Sequence, residues 1–103
     1  IKIGEFNMIS YDCNIWDTNT HCMYEPEIRR QKTIAEYPII GGESERPKTN
    51  PIAIGSDCWV GKGAVILKGS ILEDSVVVGT RAIVSNQVIR SHCKVISSKC
   101  VEI

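Results

Sequence analysis

The sequence predicts an all-β fold in which short parallel strands wind into coils, interrupted by one long loop insertion. The first observation is a period of six residues, because an aliphatic residue stands at every sixth position from Ile54 to Val84. The second is that the fifth position of each repeat, from Cys58 to Val88, is small or β-branched. Neither the period of a helix nor that of a single strand explains this spacing. Each repeat is therefore one short strand and one tight corner, and the repeats form a parallel β-helix.

The repeats fall into two blocks. Residues 3–20 supply one coil, and residues 52–89 supply two more. Aliphatic first positions and small fifth positions are both expected to point inward, while glycine and small polar residues allow the corners to bend. Successive coils then stack roughly 4.8 Å apart as parallel strands. The downstream first positions are Ile54, Val60, Ile66, Leu72, Val78 and Val84, and the fifth positions are Cys58, Ala64, Ser70, Val76, Ala82 and Val88. The upstream first positions are Ile3, Ile9 and Ile15, with Asn7 and Cys13 as fifth positions.

Two segments lack the repeat. Residues 22–51 are polar, mixed in charge and rich in glycine and proline, which predicts a loop insertion with a helical turn around 27–32. Residues 90–103 read as a degenerate C-terminal tail. We expect residues 1–103 to form a single domain, and because the sequence opens inside a repeat without a methionine, we expect it to be a fragment that lacks N-terminal residues.

Composition excludes several classes of function. Twelve basic residues balance twelve acidic ones, and this zero net charge argues against a nucleic-acid partner. The chain contains no apolar run long enough to cross a membrane, so no membrane partner is expected. Five cysteines, an odd number, argue against a closed disulfide framework, and the absence of a Cys-x-x-Cys pair argues against a zinc site. Cys13 and Cys58 fall at inward positions, which is typical of free thiols in a reducing compartment.

The stretch from Asn50 to Val84, which begins Asn-Pro-Ile-Ala-Ile-Gly-Ser-Asp-Cys-Trp-Val-Gly-Lys-Gly-Ala-Val-Ile, resembles the hexapeptide-repeat acyltransferases. The resemblance is closest to the galactoside, maltose and polysaccharide O-acetyltransferase type. It implies a left-handed β-helix, a sense that the residues do not predict, because parallel crossovers are right-handed in about 98% of cases. Carbonic anhydrases of the γ type and some nucleotidyltransferases use the same coils. The former need three metal-binding histidines, whereas this sequence has two.

The resemblance also implies a catalytic histidine where the chain leaves the coil for its insertion, and His21 stands at that exit. An imidazole with a pKa of about 6.5 can take the proton of an acceptor hydroxyl as it attacks a thioester. Asp17, four residues earlier, is a candidate to orient His21, although a corner aspartate that bonds its own backbone is an equal interpretation. Glu25 and Glu27 are weaker candidates for the same role.

Coenzyme A, by the same resemblance, lies between neighbouring subunits of a trimer. Trp59 would wall the active site, and the backbone after Gly61, at Lys62, would face the thioester oxygen. The backbone at Gly79 and Thr80, one coil later, would bond the pantetheine arm. The family's closing segment is replaced here by Ser-Ser-Lys-Cys-Val, so the basic residues that could meet the nucleotide phosphates are Lys99, Lys94 and Arg90.

The sequence therefore predicts an acetyl-CoA-dependent O-acetyltransferase that acts on a sugar or polysaccharide hydroxyl without a metal. The direct transfer would take place in a ternary complex, in a bacterial cytoplasmic homotrimer with active sites between subunits. Two alternatives stay open. One is a related acetyltransferase with an amino-acid, amino-sugar or antibiotic acceptor, and the other is a non-catalytic β-helical trimerisation scaffold.

Overall fold

The computed structural model describes residues 1–103, which divide into two compact units. The first comprises Ile1–Thr18 and Thr49–Ile103, and the second is the insertion, Asn19–Lys48. The first unit contains twelve short strands: β1 (Lys2–Ile3), β2 (Met8–Ile9), β3 (Asn14–Trp16), β4 (Ala53–Ile54), β5 (Trp59–Val60), β6 (Val65–Leu67), β7 (Ile71–Leu72), β8 (Val77–Val78), β9 (Ile83–Val84), β10 (Val88–Ile89), β11 (Cys93–Ile96) and β12 (Lys99–Glu102).

Consecutive strands join three different sheets in turn, which is the connectivity of a parallel β-helix. The sheet orders are β1-β4-β7-β10, β3-β6-β9 and β12-β11-β8-β5-β2, and every pair is parallel except β11 with β12. The register follows the predicted frame, since Ile54 pairs with Leu72, Val60 with Val78, and Ile66 with Val84. The all-β parallel arrangement predicted from the six-residue period is confirmed.

The core of the coils consists of the residues that the repeat places inward. Every downstream first position is buried, and so is every fifth position up to Ala82. Ser70 is the one buried polar residue among them, and its hydroxyl donates to the carbonyl of Val84 at 3.3 Å. Cys58 is buried as a free thiol, and burial raises its pKa. In the first coil Ile3 and Ile9 are more exposed, because only one neighbouring coil covers them.

The sixth repeat differs from the prediction, which placed Val88 inward. Val88 is 54% exposed, whereas Ile89 is fully buried and pairs with Leu72. This coil is one residue shorter than those before it, so every later side chain changes face. The shortening occurs at the corner around Asn86, which adopts a positive φ of 49° and whose N–H bonds the Ser70 hydroxyl at 3.1 Å.

The predicted degenerate tail, 90–103, contains regular structure. Strand β11 continues the sheet of β8 in parallel, and its Val95 is fully buried. Strand β12 then turns back antiparallel to β11 and ends that sheet. Because the frame has shifted by one residue, Ile89, Val95 and Val101 keep the six-residue spacing but do not continue the frame that begins at Ile54.

The insertion contains a helix that is longer than the single turn predicted. Helix α1 spans Pro26–Ala35, with Pro26 in its first turn, where a missing N–H costs nothing, and no residue of it is buried. Glu27 lies in its first turn and Lys32 in its last, the arrangement that a helix dipole favours. No helix has the length and apolar character needed to cross a membrane.

Alanine substitutions at the shifted corner test the observed register. We expect Ile89→Ala to lower the free energy of unfolding by about 2–5 kcal/mol, because it opens a cavity in the core. Val88→Ala should change it by no more than about 0.5 kcal/mol, as at other exposed positions. Urea unfolding of both variants measures the difference, and a larger loss for Val88→Ala would restore the unshifted frame.

Candidate active site

His21 follows the end of the first coil at the start of the insertion, as the sequence predicts. Its backbone N–H donates to the carbonyl of Asn19 at 2.7 Å, and its side chain is 59% exposed. Nδ1 lies 3.6 Å from Oε1 of Glu43, and the ring lies 5.2 Å from that of Tyr37 between centroids, tilted by 37°. Neither Glu43 nor Tyr37 is marked by any motif in the sequence, so both are absent from the predicted site.

A polar network fixes the segment around Glu43 to helix α1. The Ser44 hydroxyl donates to Oε1 of Glu36 at 2.6 Å, and Lys32 donates to both residues, at 2.8 Å to Ser44 and 3.2 Å to Glu36. The hydrogen bond from Ser44, together with Lys32, holds the pKa of Glu36 below its ordinary value. Glu36 therefore stays ionised at neutral pH, and the network remains charged.

Tyr24 gives a second connection within the insertion. Its hydroxyl is hydrogen-bonded to Cys22, and this contact, burial and the nearby Glu45 raise its pKa. Nζ of Lys32 lies 5.5 Å from the centre of the Tyr24 ring, within cation–π range. The residues that follow His21 are thus tied to both α1 and the 43–45 segment.

Asp17 lies in the coil unit, where it closes the base of the insertion. Its carbonyl accepts a hydrogen bond from the N–H of Asn50 at 3.0 Å, and Thr18 forms a bridge with Thr49. Its carboxylate lies 3.9 Å from the backbone nitrogen of Ile1. The hydrogen bond between Asp17 and Asn50 thus joins the two ends of the chain segment that enters and leaves the insertion.

Trp59 projects outward from β5 and is 53% exposed. It stands between Met8 of the preceding coil and Val77 of the following one, in register with both. Lys62 follows, with its ammonium 4.8 Å from the centre of the Tyr11 ring and its carbonyl bonded to the N–H of Arg81 at 2.8 Å.

Gly61 and Gly79 allow neighbouring coils to approach closely at this place. A Cβ on Gly61 would lie 2.8 Å from the backbone nitrogen of Thr80, and one on Gly79 would lie 2.9 Å from the carbonyl oxygen of Val95. The N–H groups of Lys62 and Thr80, one coil apart, make no hydrogen bond to another part of the chain. Two backbone donors without a partner therefore lie on neighbouring coils, at residues that are exposed.

The C-terminal segment contains Lys99, a predicted contact of the nucleotide phosphates, and His92, the second histidine of the sequence. Lys99 is exposed at the start of β12, opposite Ile96. His92 is a corner residue with φ of 61°, and its carbonyl accepts the N–H of Ile103 at 2.9 Å. His92 therefore has a structural backbone role.

Among known proteins, the chain is similar to a chloramphenicol acetyltransferase of Agrobacterium fabrum (strain C58 / ATCC 33970). The two are 29% identical over 75 residues, which is 73% of this chain and 32% of that protein. The chain thus spans about a third of the length of this curated relative. No family model matches the chain, and no solved structure matches it.

The close approach of the coils at Gly61 can be tested by adding a methyl group. We expect Gly61→Ala to destabilise the protein by about 1–3 kcal/mol, because the backbone at Thr80 must move away. Thr80→Ala, which truncates an exposed side chain, should change stability by about 0.5 kcal/mol or less. Denaturant unfolding compares them, and a Gly61→Ala variant as stable as the wild type would show that the coils are farther apart.

Proposed function

We propose that this protein is an acetyl-CoA-dependent acetyltransferase that acts on a sugar or polysaccharide hydroxyl by direct transfer in a ternary complex. The observation that carries the proposal is the similarity to a chloramphenicol acetyltransferase over 73% of this chain. This similarity agrees with the resemblance of the coils to the hexapeptide-repeat acyltransferases. The proposal includes a left-handed winding of the coils. No metal takes part in the proposed reaction.

His21 is the proposed general base. Its exposed imidazole can receive the proton of the acceptor hydroxyl as the oxygen attacks the thioester carbonyl. The negative charge that develops on the carbonyl oxygen would be held by the N–H of Lys62, which is supported by the absence of any other partner for that group. Coenzyme A then leaves as the thiol, and the acceptor carries the acetyl ester.

The donor surface in this proposal is the backbone between Trp59 and Thr80. Trp59 would flank the reacting thioester, and the glycines 61 and 79 would leave the backbone accessible to the pantetheine arm. The N–H of Thr80 is the proposed partner of a pantetheine amide. Lys99 is the proposed contact of the nucleotide phosphates, with its exposed position in the hairpin as support.

A homotrimer with active sites between subunits, in the cytoplasm of a bacterium, completes the proposal. Outward apolar side chains on two of the sheets, Met8 and Trp59 on one and Ile71 and Val88 on the other, supply surfaces on which neighbouring subunits could pack. Asp17 is the candidate orienting group for His21 that the sequence offers.

An antibiotic acceptor is the second candidate, favoured by the substrate in the name of the relative. Comparing acetyl transfer to sugars and to aromatic amide antibiotics with the same enzyme distinguishes the two. A non-catalytic trimerisation scaffold would transfer acetyl groups to neither.

Binding of acetyl-CoA gives the first test. At 100 times its dissociation constant the ligand should raise the free energy of unfolding by about 2.7 kcal/mol, seen as an increase in melting temperature of the full-length protein. Desulfo-coenzyme A should raise it as well, whereas adenosine alone should not. Absence of any shift at millimolar acetyl-CoA would contradict the proposed donor.

Substitution of the histidines tests the base. We expect His21→Ala to lower kcat about 10²- to 10⁴-fold without changing the melting temperature, because the proton loses its acceptor. His92→Asn is the matched control, since asparagine tolerates a positive φ, and its kcat should stay within about twofold of wild type. Equal activity of the wild type and His21→Ala would remove His21 from the mechanism.

A further inference from the structure

The imidazole of His21 has two neighbours inside the insertion, a carboxylate at Nδ1 and an aromatic ring at its face. We infer that Glu43 is the positioning residue of His21, with Tyr37 limiting rotation of the imidazole. The catalytic part of this inference rests on the proposed function, in which Nε2 of His21 would take the proton of the acceptor. The structural part of the inference is that His21 has one fixed tautomer, which can be tested without any reaction.

The position of the carboxylate decides which nitrogen can act as a base. A neutral imidazole carries one N–H, and a carboxylate beside Nδ1 places that hydrogen on Nδ1 as its donor. The lone pair then lies on Nε2, which is directed away from Glu43. The separation of 3.6 Å is that of an ion pair and is longer than a hydrogen bond. Such contacts shorten when a substrate is bound.

The aromatic neighbour restricts the ring. The tilt of 37° and the centroid distance of 5.2 Å lie within the range of favourable aromatic pairs. A ring with Tyr37 beside it and Glu43 near one nitrogen has fewer rotamers open to it than a ring without these neighbours. An exposed histidine without these contacts would sample several rotamers.

Both neighbours of His21 are held by the same polar network. Tyr37 directly follows Glu36, and Glu43 directly precedes Ser44, while Glu36 and Ser44 are hydrogen-bonded to each other and to Lys32. The Glu43 side chain is 35% exposed, so solvent screens its charge less than that of a surface carboxylate. Helix α1 and the segment after it therefore form a support for the histidine.

Glu43 takes the place for which the sequence offers Asp17, Glu25 and Glu27. Glu25 precedes α1, where it caps no backbone group, and Glu27 lies in the first turn of the helix. Of the four carboxylates, Glu43 is the one with an oxygen within 4.0 Å of an imidazole nitrogen. The sequence does not reveal it, because 22 residues separate it from His21.

Nitrogen NMR of the full-length protein tests the inference without requiring activity. At a pH where the imidazole is neutral, the 15N shifts of His21 should report a hydrogen on Nδ1 in the wild type. In Glu43→Ala the hydrogen should move predominantly to Nε2, as in free histidine. Glu43→Gln should keep it on Nδ1, because the amide oxygen accepts the same bond. The signals that disappear in the spectrum of His21→Ala are those of His21.

Kinetics supply the second readout. We expect Glu43→Ala to lower kcat about 10- to 100-fold, as loss of an outer-shell partner commonly does, with KM for acetyl-CoA unchanged. Glu43→Gln should recover most of this loss. If both variants melt at the wild-type temperature, a difference between their rates cannot come from a difference in stability. Glu5→Ala, which removes an exposed carboxylate of the coils, is the control that should alter neither tautomer nor rate.

The outcomes separate the inference from the proposed function. An unchanged tautomer in Glu43→Ala, or a change in Asp17→Ala instead, overturns the inference whatever the activity. If the wild type transfers no acetyl group but Glu43→Ala alters the tautomer, the proposed function fails and the assignment of Glu43 as the partner of His21 stands. If Glu43→Ala fails to fold, the comparison of Glu43→Gln with wild type decides: a hydrogen on Nε2 in both contradicts the inference.

Discussion

The hydrogen bonding of each coil to the next, at a nearly constant step along the chain, is the constraint on which the rest of the structure depends. Parallel strands exchange their bonds only when their backbones stack at one spacing, so each inward side chain meets its equivalents above and below. The column Val60, Val78 and Val95 illustrates this, since all three are fully buried. The residue lost from one corner leaves both columns intact, because Ile89 pairs with Leu72 and Val95 pairs with Val78.

The same stacking leaves backbone donors available for a ligand. Strand residues direct their N–H groups along the stack to the neighbouring coil, and some corner residues such as Arg81 do the same, whereas the N–H groups of Lys62 and Thr80 have no such partner. Lys62 and Thr80 lie at corners, directly after glycines that allow the coils to approach within backbone contact. In the proposed function, the amides of pantetheine would bind to these backbone groups, with few specific side chains.

The insertion is stabilised by different forces. Its helix buries no residue, and its structure is held by the Lys32, Glu36 and Ser44 network and by the contacts of Tyr24 and Tyr37. Oε2 of Glu36 is buried without a hydrogen-bond partner, so the network is not fully satisfied. Polar networks fix geometry at modest gain in stability. This suits a segment whose proposed role is to hold one imidazole in place.

The coils could be predicted from the sequence alone, because a six-residue period with two inward positions has few other physical solutions. The sequence also places His21 at the end of a coil and Gly61 and Gly79 at the same repeat position, whereas the roles proposed for them come from the resemblance. Only the tertiary structure decided the register after Asn86, the hairpin of β11 and β12, and the neighbours of His21. A single-residue deletion at a corner does not change the composition noticeably, and a turn of polar residues has no hydrophobic period from which it could be predicted. Glu43 approaches His21 only because α1 and Ser44 fold the chain back, and such a contact between distant residues leaves no local signal in the sequence.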